Sequence, residues 1–214
     1  MDLIKTARQL VDRALLVLGI TVFRPADDIA TYSRSDLITR VLKKLQVIGD
    51  GDSATAEEAA NLSPIIDSVV ATLNQRGVVS ITDTANFLKW QFEPLADIIA
   101  FAHAADHGKA GNAAYAQLAS AGESLLKTIT RIARVDEFVD GFLEDLTARE
   151  IVYVPEPDAI PIAVFESLAR LLALNVATVF EQPRDEAAIL LAENRIRVAT
   201  SSRPTFERMQ AEYF

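Results

Sequence analysis

Apolar side chains recur along most of this chain at helical rather than strand spacing. Leu10, Val11, Ala14, Leu15 and Leu18 fall at i, i+1, i+4, i+5 and i+8, which is one face of a helix, and Gly19 is placed to stop it. Leu37, Ile38, Val41, Leu42 and Leu45 repeat that spacing, with Ser35 as N-cap. Thr55 and Glu58 have the capping-box form, predicting a helix from there to Arg76 with Gly77 as its stop. Pro64 is expected to kink or divide that helix, Ser63 capping its second half. Val78–Ile81 is short and β-branched and reads as extended. Helices are predicted at about 91–107 and 112–133, separated by Gly108–Gly111, and again at 137–149. Ile151–Val154 is a second extended segment. Pro161 is placed as the first residue of a helix to about Phe180, and Pro183 opens a last helix to about Thr200. The helix near 162–180 is apolar almost all round and should be the buried centre of its half. The predicted fold class is all-α, a helical bundle with short extended segments near 78–81 and 151–154.

Shifted by 73 residues, the chain matches itself without a gap. Asp67 falls on Asp140, Leu73 on Leu146, Arg76 on Arg149, Val79 on Val152, Glu93 on Glu166, Leu95 on Leu168 and Ala96 on Ala169. The order helix, extended segment, helix, loop, helix is shared, which predicts an internal duplication of 65–131 and 138–204 within one helical domain of residues 1–204. Leu10-Val-Asp-Arg-Ala-Leu15 also resembles Leu37-Ile-Thr-Arg-Val-Leu42. Ordinary amphipathic patterning accounts for that echo.

Composition narrows the function more than the fold. The 214 residues carry a net charge of −9, with a pI near 4.8. The acidity sits in residues 49–192, and both ends are mildly basic. Such a body does not grip nucleic acid by charge, since phosphate binding is driven by Lys and Arg. There is no cysteine, so disulfides and thiol chemistry are excluded, and two histidines leave little room for zinc or triad catalysis. The uncharged apolar runs Ala14–Phe23 and Leu171–Phe180 are about half the roughly 20 residues of a spanning helix. Asp2 and Asp12 precede the first run and no small-x-small cleavage site follows it, which argues against export.

Each candidate chemical site has a plainer reading beside it. His103 and His107 share a helix face at i, i+4, but Ala104 stands where a metalloprotease helix carries glutamate. The duplication places them opposite Val176 and Phe180, so packing at a helix C-terminus is the expectation. Asp50-Gly-Asp52-Ser lacks the later ligands of a calcium loop and reads as a turn into a helix cap. No phosphate-cradling glycine loop or nucleophile elbow occurs, and the carboxylates are scattered. No metal, cofactor or catalytic residue is therefore expected. After Pro204, Phe206, Met209 and Tyr213 recur at i, i+3, i+7 and the chain ends in Phe214. Such a face either packs on its own domain or docks in a partner's groove. The second reading makes residues 205–214 a docking segment, with Phe206, Met209, Tyr213 and Phe214 as the partner-binding residues.

Two stretches carry a family resemblance. One is Ser35–Ile48, the Gly/Asp turn, Ala54–Ala60 and Leu73–Ile81; the other is Ile160–Ala177, Phe180-Glu-Gln-Pro183 and the helix ending near Arg203-Pro204. Together they resemble the head-to-tail adaptor (connector) proteins of tailed bacteriophages, including the packaged-DNA-stabilisation type. The chain departs from them at Asn74, where the family often has an aromatic, in the helices of 91–133, where it usually carries a β-rich insertion, and in a helix before residue 30. The resemblance implies a non-enzymatic virion protein of the neck, assembled in the host cytoplasm. It would form a homo-oligomeric ring, normally of twelve copies, that joins the portal protein to a tail or neck protein. DNA would pass through without specific binding, and no membrane is involved. With −9 net charge the chain alone is expected to be a monomer or small species. The alternatives are a cellular all-α interaction or regulatory module and, less favoured, an acid–base enzyme using its scattered carboxylates.

Overall fold

The computed structural model describes residues 6–22, 30–154 and 160–201. It is all-α, 72% helical, with seven α-helices and one two-stranded sheet among the described residues. The helices are α1 (Ala7–Val17), α2 (Arg34–Lys44), α3 (Ala56–Gln75), α4 (Lys89–His103), α5 (Ala113–Ala148), α6 (Ile162–Val176) and α7 (Glu186–Ser201). Short 3₁₀ turns, Ala104–His107 and Ala177–Phe180, extend α4 and α6. Strands β1 (Thr31–Ser33) and β2 (Asn86–Leu88) pair antiparallel, with Tyr32 opposite Phe87.

In place of one domain over residues 1–204 there are two compact units, each with its own core. The continuous unit is Phe23–Thr130; the interrupted unit is Met1–Val22 together with Arg131–Phe214. In the continuous unit, α2, α3 and α4 bury Leu37, Leu42, Leu62, Ile66, Leu95 and Ile99 against Phe87 and Leu126. In the interrupted unit, α6 is the centre, packing on both α1 and α7. Its buried Leu168, Leu171 and Leu172 meet Leu10, Leu15, Leu146 and Ile196. The segment Ile162–Phe180 is long and apolar enough to cross a membrane (mean hydropathy 1.6), and half of it is buried inside this core.

The 73-residue offset recurs in the element bounds. Adding 73 carries α4 onto α6, the first 3₁₀ turn onto the second, the start of α5 onto the start of α7, and the end of α3 onto the end of α5. The front echo, taken from the sequence as ordinary amphipathic similarity, belongs to the same scheme: adding 27 carries α1 onto α2 at both ends. Each unit thus has a first helix, a second, a central third and a fourth, with α5 supplying the fourth helix of one unit and the second of the other. The whole continuous unit sits in the chain between the first and second helices of its twin.

The stops agree as well. Gly19 and Gln46, Gly77 and Glu150, and Gly108 and Glu181 are equivalent pairs, and all six have positive φ. Each pair repeats the same two bonds. Ile20 N–H donates to the Leu15 carbonyl and Val47 to Leu42; Val78 donates to Leu73 and Ile151 to Leu146, all at 2.9 Å. This is the Schellman closure, which satisfies carbonyls left over at a helix end.

Several local expectations change. The N-cap of α2 is Ser33 rather than Ser35, because Asp36 reaches back 2.9 Å to the Ser33 amide and completes a capping box. Thr55 and Glu58 do form theirs. α3 runs unbroken through Pro64, and Arg34 braces that turn, donating to the Ser63 carbonyl and the Asp67 carboxylate at 2.7 Å each. Residues 112–149 hold one helix of 36 residues rather than two. Pro161 is the N-cap of α6, and α7 starts at Glu186. Val78–Ile81 and Ile151–Val154 lie outside helices but join no ladder, and the sheet forms elsewhere. Val78, Val79 and Ile81 are buried all the same. The Asn74 amide holds this segment by donating to the Ile81 carbonyl at 2.7 Å and accepting from its N–H at 3.0 Å.

Two tests follow from this scheme. A non-glycine residue in the left-handed region costs about 1–2 kcal/mol. Gln46→Gly and Glu150→Gly should therefore each stabilise their unit by about 0.5–1 kcal/mol after glycine's extra unfolded entropy. A lower melting temperature in either variant would contradict the shared closure. Leu10→Ala should cost about 2–5 kcal/mol, because the side chain is fully buried. Hydrogen exchange should show that loss in residues 131–201 and leave 30–130 protected; uniform loss would contradict two separate cores.

Candidate functional site

The expected docking residues Phe206, Met209, Tyr213 and Phe214 lie outside the described residues. The described residues show where side chains with chemistry go, and most are used by the fold. Arg40 pairs with Glu93 at 2.8 Å, and Arg13 pairs with Glu166 at 3.0 Å, the equivalent contact in the twin unit. Lys44 joins Glu93 (3.0 Å) and Asp97 (2.7 Å). Arg76 pairs with Glu123, and Arg149 with Glu193 and Asp145. Past the 3₁₀ turns, the side chains of Lys109 and Gln182 bond the carbonyls of Leu45 and Leu18, again equivalent positions. Exposed pairs of this kind contribute about 0–1 kcal/mol each, so they set register more than stability.

Four carboxyls are held below their ordinary range, each by its fold partners. Glu58 accepts from the backbone and hydroxyl of Thr55. Asp67 is lowered by Arg34, and Asp83 by Asn86 and then the Ala85 backbone. Burial pushes Glu93 up, but its bonds to Lys44 and Arg40 outweigh that and bring it down. None of these is set up as a proton donor at neutral pH.

His103 is buried and meets His107 edge-on at 4.6 Å. Its Nδ1 lies 2.8 Å from a carboxylate oxygen of Asp106 but off hydrogen-bond geometry, and His107 Nε2 is buried without a partner. Both sit at the end of α4 and its 3₁₀ turn, in the places of Val176 and Phe180, as the packing reading requires. No group of three metal-ligating side chains occurs among the described residues. Asp50–Ser53 is a turn, with Asp52 accepting from the Gly49 amide at 3.0 Å.

What the described residues do present is apolar surface on the fourth helix of each unit. Leu118 and Leu125 of α5 are 49% and 37% exposed; their equivalents on α7, Leu191 and Val198, are 53% and 66% exposed. Leu190 adds to the α7 face at 60%. In the continuous unit an open groove of about 470 Å³ lies along α4 and α5, walled by Ile98, Phe101, Ala116 and Ala119, with Glu123 and Lys127 further along it. Periodicity alone marks these residues as helix faces without saying which stay uncovered, so sequence reasoning missed them. Scanned against family models, curated proteins and solved structures, the chain matches none.

Stability should fall as pH is lowered. The four carboxyls have folded pKa values below their ordinary 4.5 (Glu58, Glu93) or 3.8 (Asp67, Asp83). Their contribution is full above those values and is lost as pH drops through the folded ones. The melting temperature should decline from about pH 5 downward, less steeply in Asp67→Asn; a flat profile would contradict the pairing. For the histidines, replacing both with Ala should cost packing stability, whereas His103→Val with His107→Phe, copying the twin unit, should restore it. Stoichiometric zinc, lost in the Ala variant, would overturn the packing role.

Proposed function

We propose that this chain is a structural, non-enzymatic protein of a tailed-phage neck, forming a ring that joins portal to tail and helps retain packaged DNA. The observation that supports this best is the pairing of an ion-paired, non-convergent set of carboxylates with apolar helix faces left open to solvent. That combination suits a protein whose work is contact with other proteins. The adaptor resemblance supplies the kind of contact. An acidic body lets DNA slide past rather than holding it. Ring building requires two different faces per subunit, and a duplicated chain whose copies have diverged carries them. In this reading the C-terminal face of Phe206, Met209, Tyr213 and Phe214 docks on the portal or on a neighbouring subunit. Assembly takes place in the host cytoplasm and the mature location is the virion neck.

The test is mass measurement of the chain alone and mixed with the portal protein encoded in the same genome. Deleting Arg203–Phe214 should leave helicity and melting temperature nearly unchanged and abolish portal attachment. A truncated chain that melts well below the full-length one would make the segment part of the core. Capture of a non-viral partner, with none of the portal, would replace the neck reading with the cellular interaction module.

A further inference from the structure

The two units differ most informatively where one is filled and the other is not. In the interrupted unit, the space between α6 and α7 is occupied by Ile189 and Ile196, 5% and 0% exposed. The equivalent positions between α4 and α5 are Ala116 and Glu123, and there the groove is open. Gly122 draws α5 against α4 at one point, since a Cβ there would lie 3.0 Å from the Pro94 carbonyl oxygen. The groove is therefore the footprint of two missing isoleucines beside a close helix contact, with Phe101 left 46% exposed on its wall. The twin unit shows what fits such a space: branched aliphatic side chains carried on a helix.

The same comparison identifies a donor. On α7 the chain has Leu190 where α5 has Gln117, so the ridge Leu190, Leu191 and Val198 is broader and more exposed than its twin. At 1.5 Å per residue the ridge from Leu191 to Val198 spans about 10 Å, within the roughly 16 Å of α5 from Ala116 to Lys127. The groove carries one charge of each sign, Glu123 and Lys127, and α7 carries exposed Arg195, Arg197 and Glu186. Glu123 already pairs with Arg76 and Glu186 with Arg184, so the fit is carried by the apolar ridge and the space it fills rather than by new ion pairs.

From these complementary divergences we infer that α7 of one copy docks its Leu190–Leu191–Val198 ridge into the α4/α5 groove of a second copy. The contact is helix-in-groove. Because groove and ridge are different surfaces of one chain, it is heterologous and propagates head to tail, closing a ring where the rotation permits. This names the subunit contact of the ring proposed above and rests on that reading only for the ring's place in a virion. The net charge of −9 opposes it in dilute, low-salt solution, and salt screens that opposition.

The experiment is sedimentation of the full chain over a wide concentration range in about 0.3 M salt, where the Debye length is only several Å. The weight-average mass should rise above 23.4 kDa with concentration. Leu190→Glu with Leu191→Glu removes the ridge, and Ala116→Ile with Glu123→Ile fills the groove as the twin unit is filled. Each double variant alone should stay at the monomer mass. Mixed, they should form a one-to-one pair and nothing larger, because each retains the face the other lacks; that pairing also demonstrates that both are folded. A wild-type mass independent of concentration overturns the inference. So does association by the groove-filled variant equal to wild type, or failure of the mixture to pair. Self-association without portal binding leaves this contact standing and removes the neck reading; portal binding without self-association does the reverse.

Discussion

The burial of α1 is the constraint on which half of this structure depends. Leu10, Val11, Ala14 and Leu15 are fully buried, yet the residues that bury them begin at Ile132. Leu10, Val11 and Leu15 represent about 1.5–3 kcal/mol each on burial, and the Ala14 methyl less. An amphipathic helix of 11 residues has no stability of its own in water. α1 therefore persists only by packing on α6, with a whole second unit intervening in the chain. The closure of this long loop is entropically tolerable, because its cost grows only logarithmically with length and the intervening residues fold on their own core. The equivalent helix α2 meets no such problem, because α3 and α4 follow directly.

That arrangement explains what could be read from the sequence and what could not. Helix faces were legible because their period is local, and the 73-residue repeat because it preserves order along the chain. The equivalence of α1 and α2 was not legible as part of the duplication. It obeys a different offset, 27, since the continuous unit displaces the second helix of the other. Nothing in Leu10–Leu15 states which distant helix it serves. The choice between Ser33 and Ser35 turned on Asp36, whose reach back to the cap depends on backbone direction before the helix. The pattern predicts two helices, at about 112–133 and 137–149, but Arg134, Asp136 and Glu137 lie along one continuous helix. The β1–β2 pair escaped notice because three-residue strands carry no period.

The candidate surface was legible only in the comparison of the two units. Alanine at 116 and glutamate at 123 are unremarkable residues for a helix. They acquire meaning because their equivalents, Ile189 and Ile196, fill the same place. The histidines read the other way: a pair at metal-ligand spacing looks chemical until Val176 and Phe180 are set beside it. A chain with two equivalent units thus carries its own control, with each unit showing what the other would be without its special feature.

Carrying two such units also changes what a surface can expose. In a single unit, emptying the space under the fourth helix removes apolar burial from the only core the protein has. Here the core of each unit is closed by different residues, so the continuous unit can carry Ala116 and Glu123 in that space with no effect on the buried set around α6. Leu190 on α7 likewise lies outside the buried face formed by Ile189 and Ile196. Divergence of this kind turns two similar bodies into one chain with unlike surfaces. Unlike surfaces are the geometric requirement for head-to-tail assembly, because identical patches pair once around a two-fold axis and stop. The nested fold and the proposed assembly thus rest on the same fact, that equivalent helices in the two units need not bury equivalent side chains.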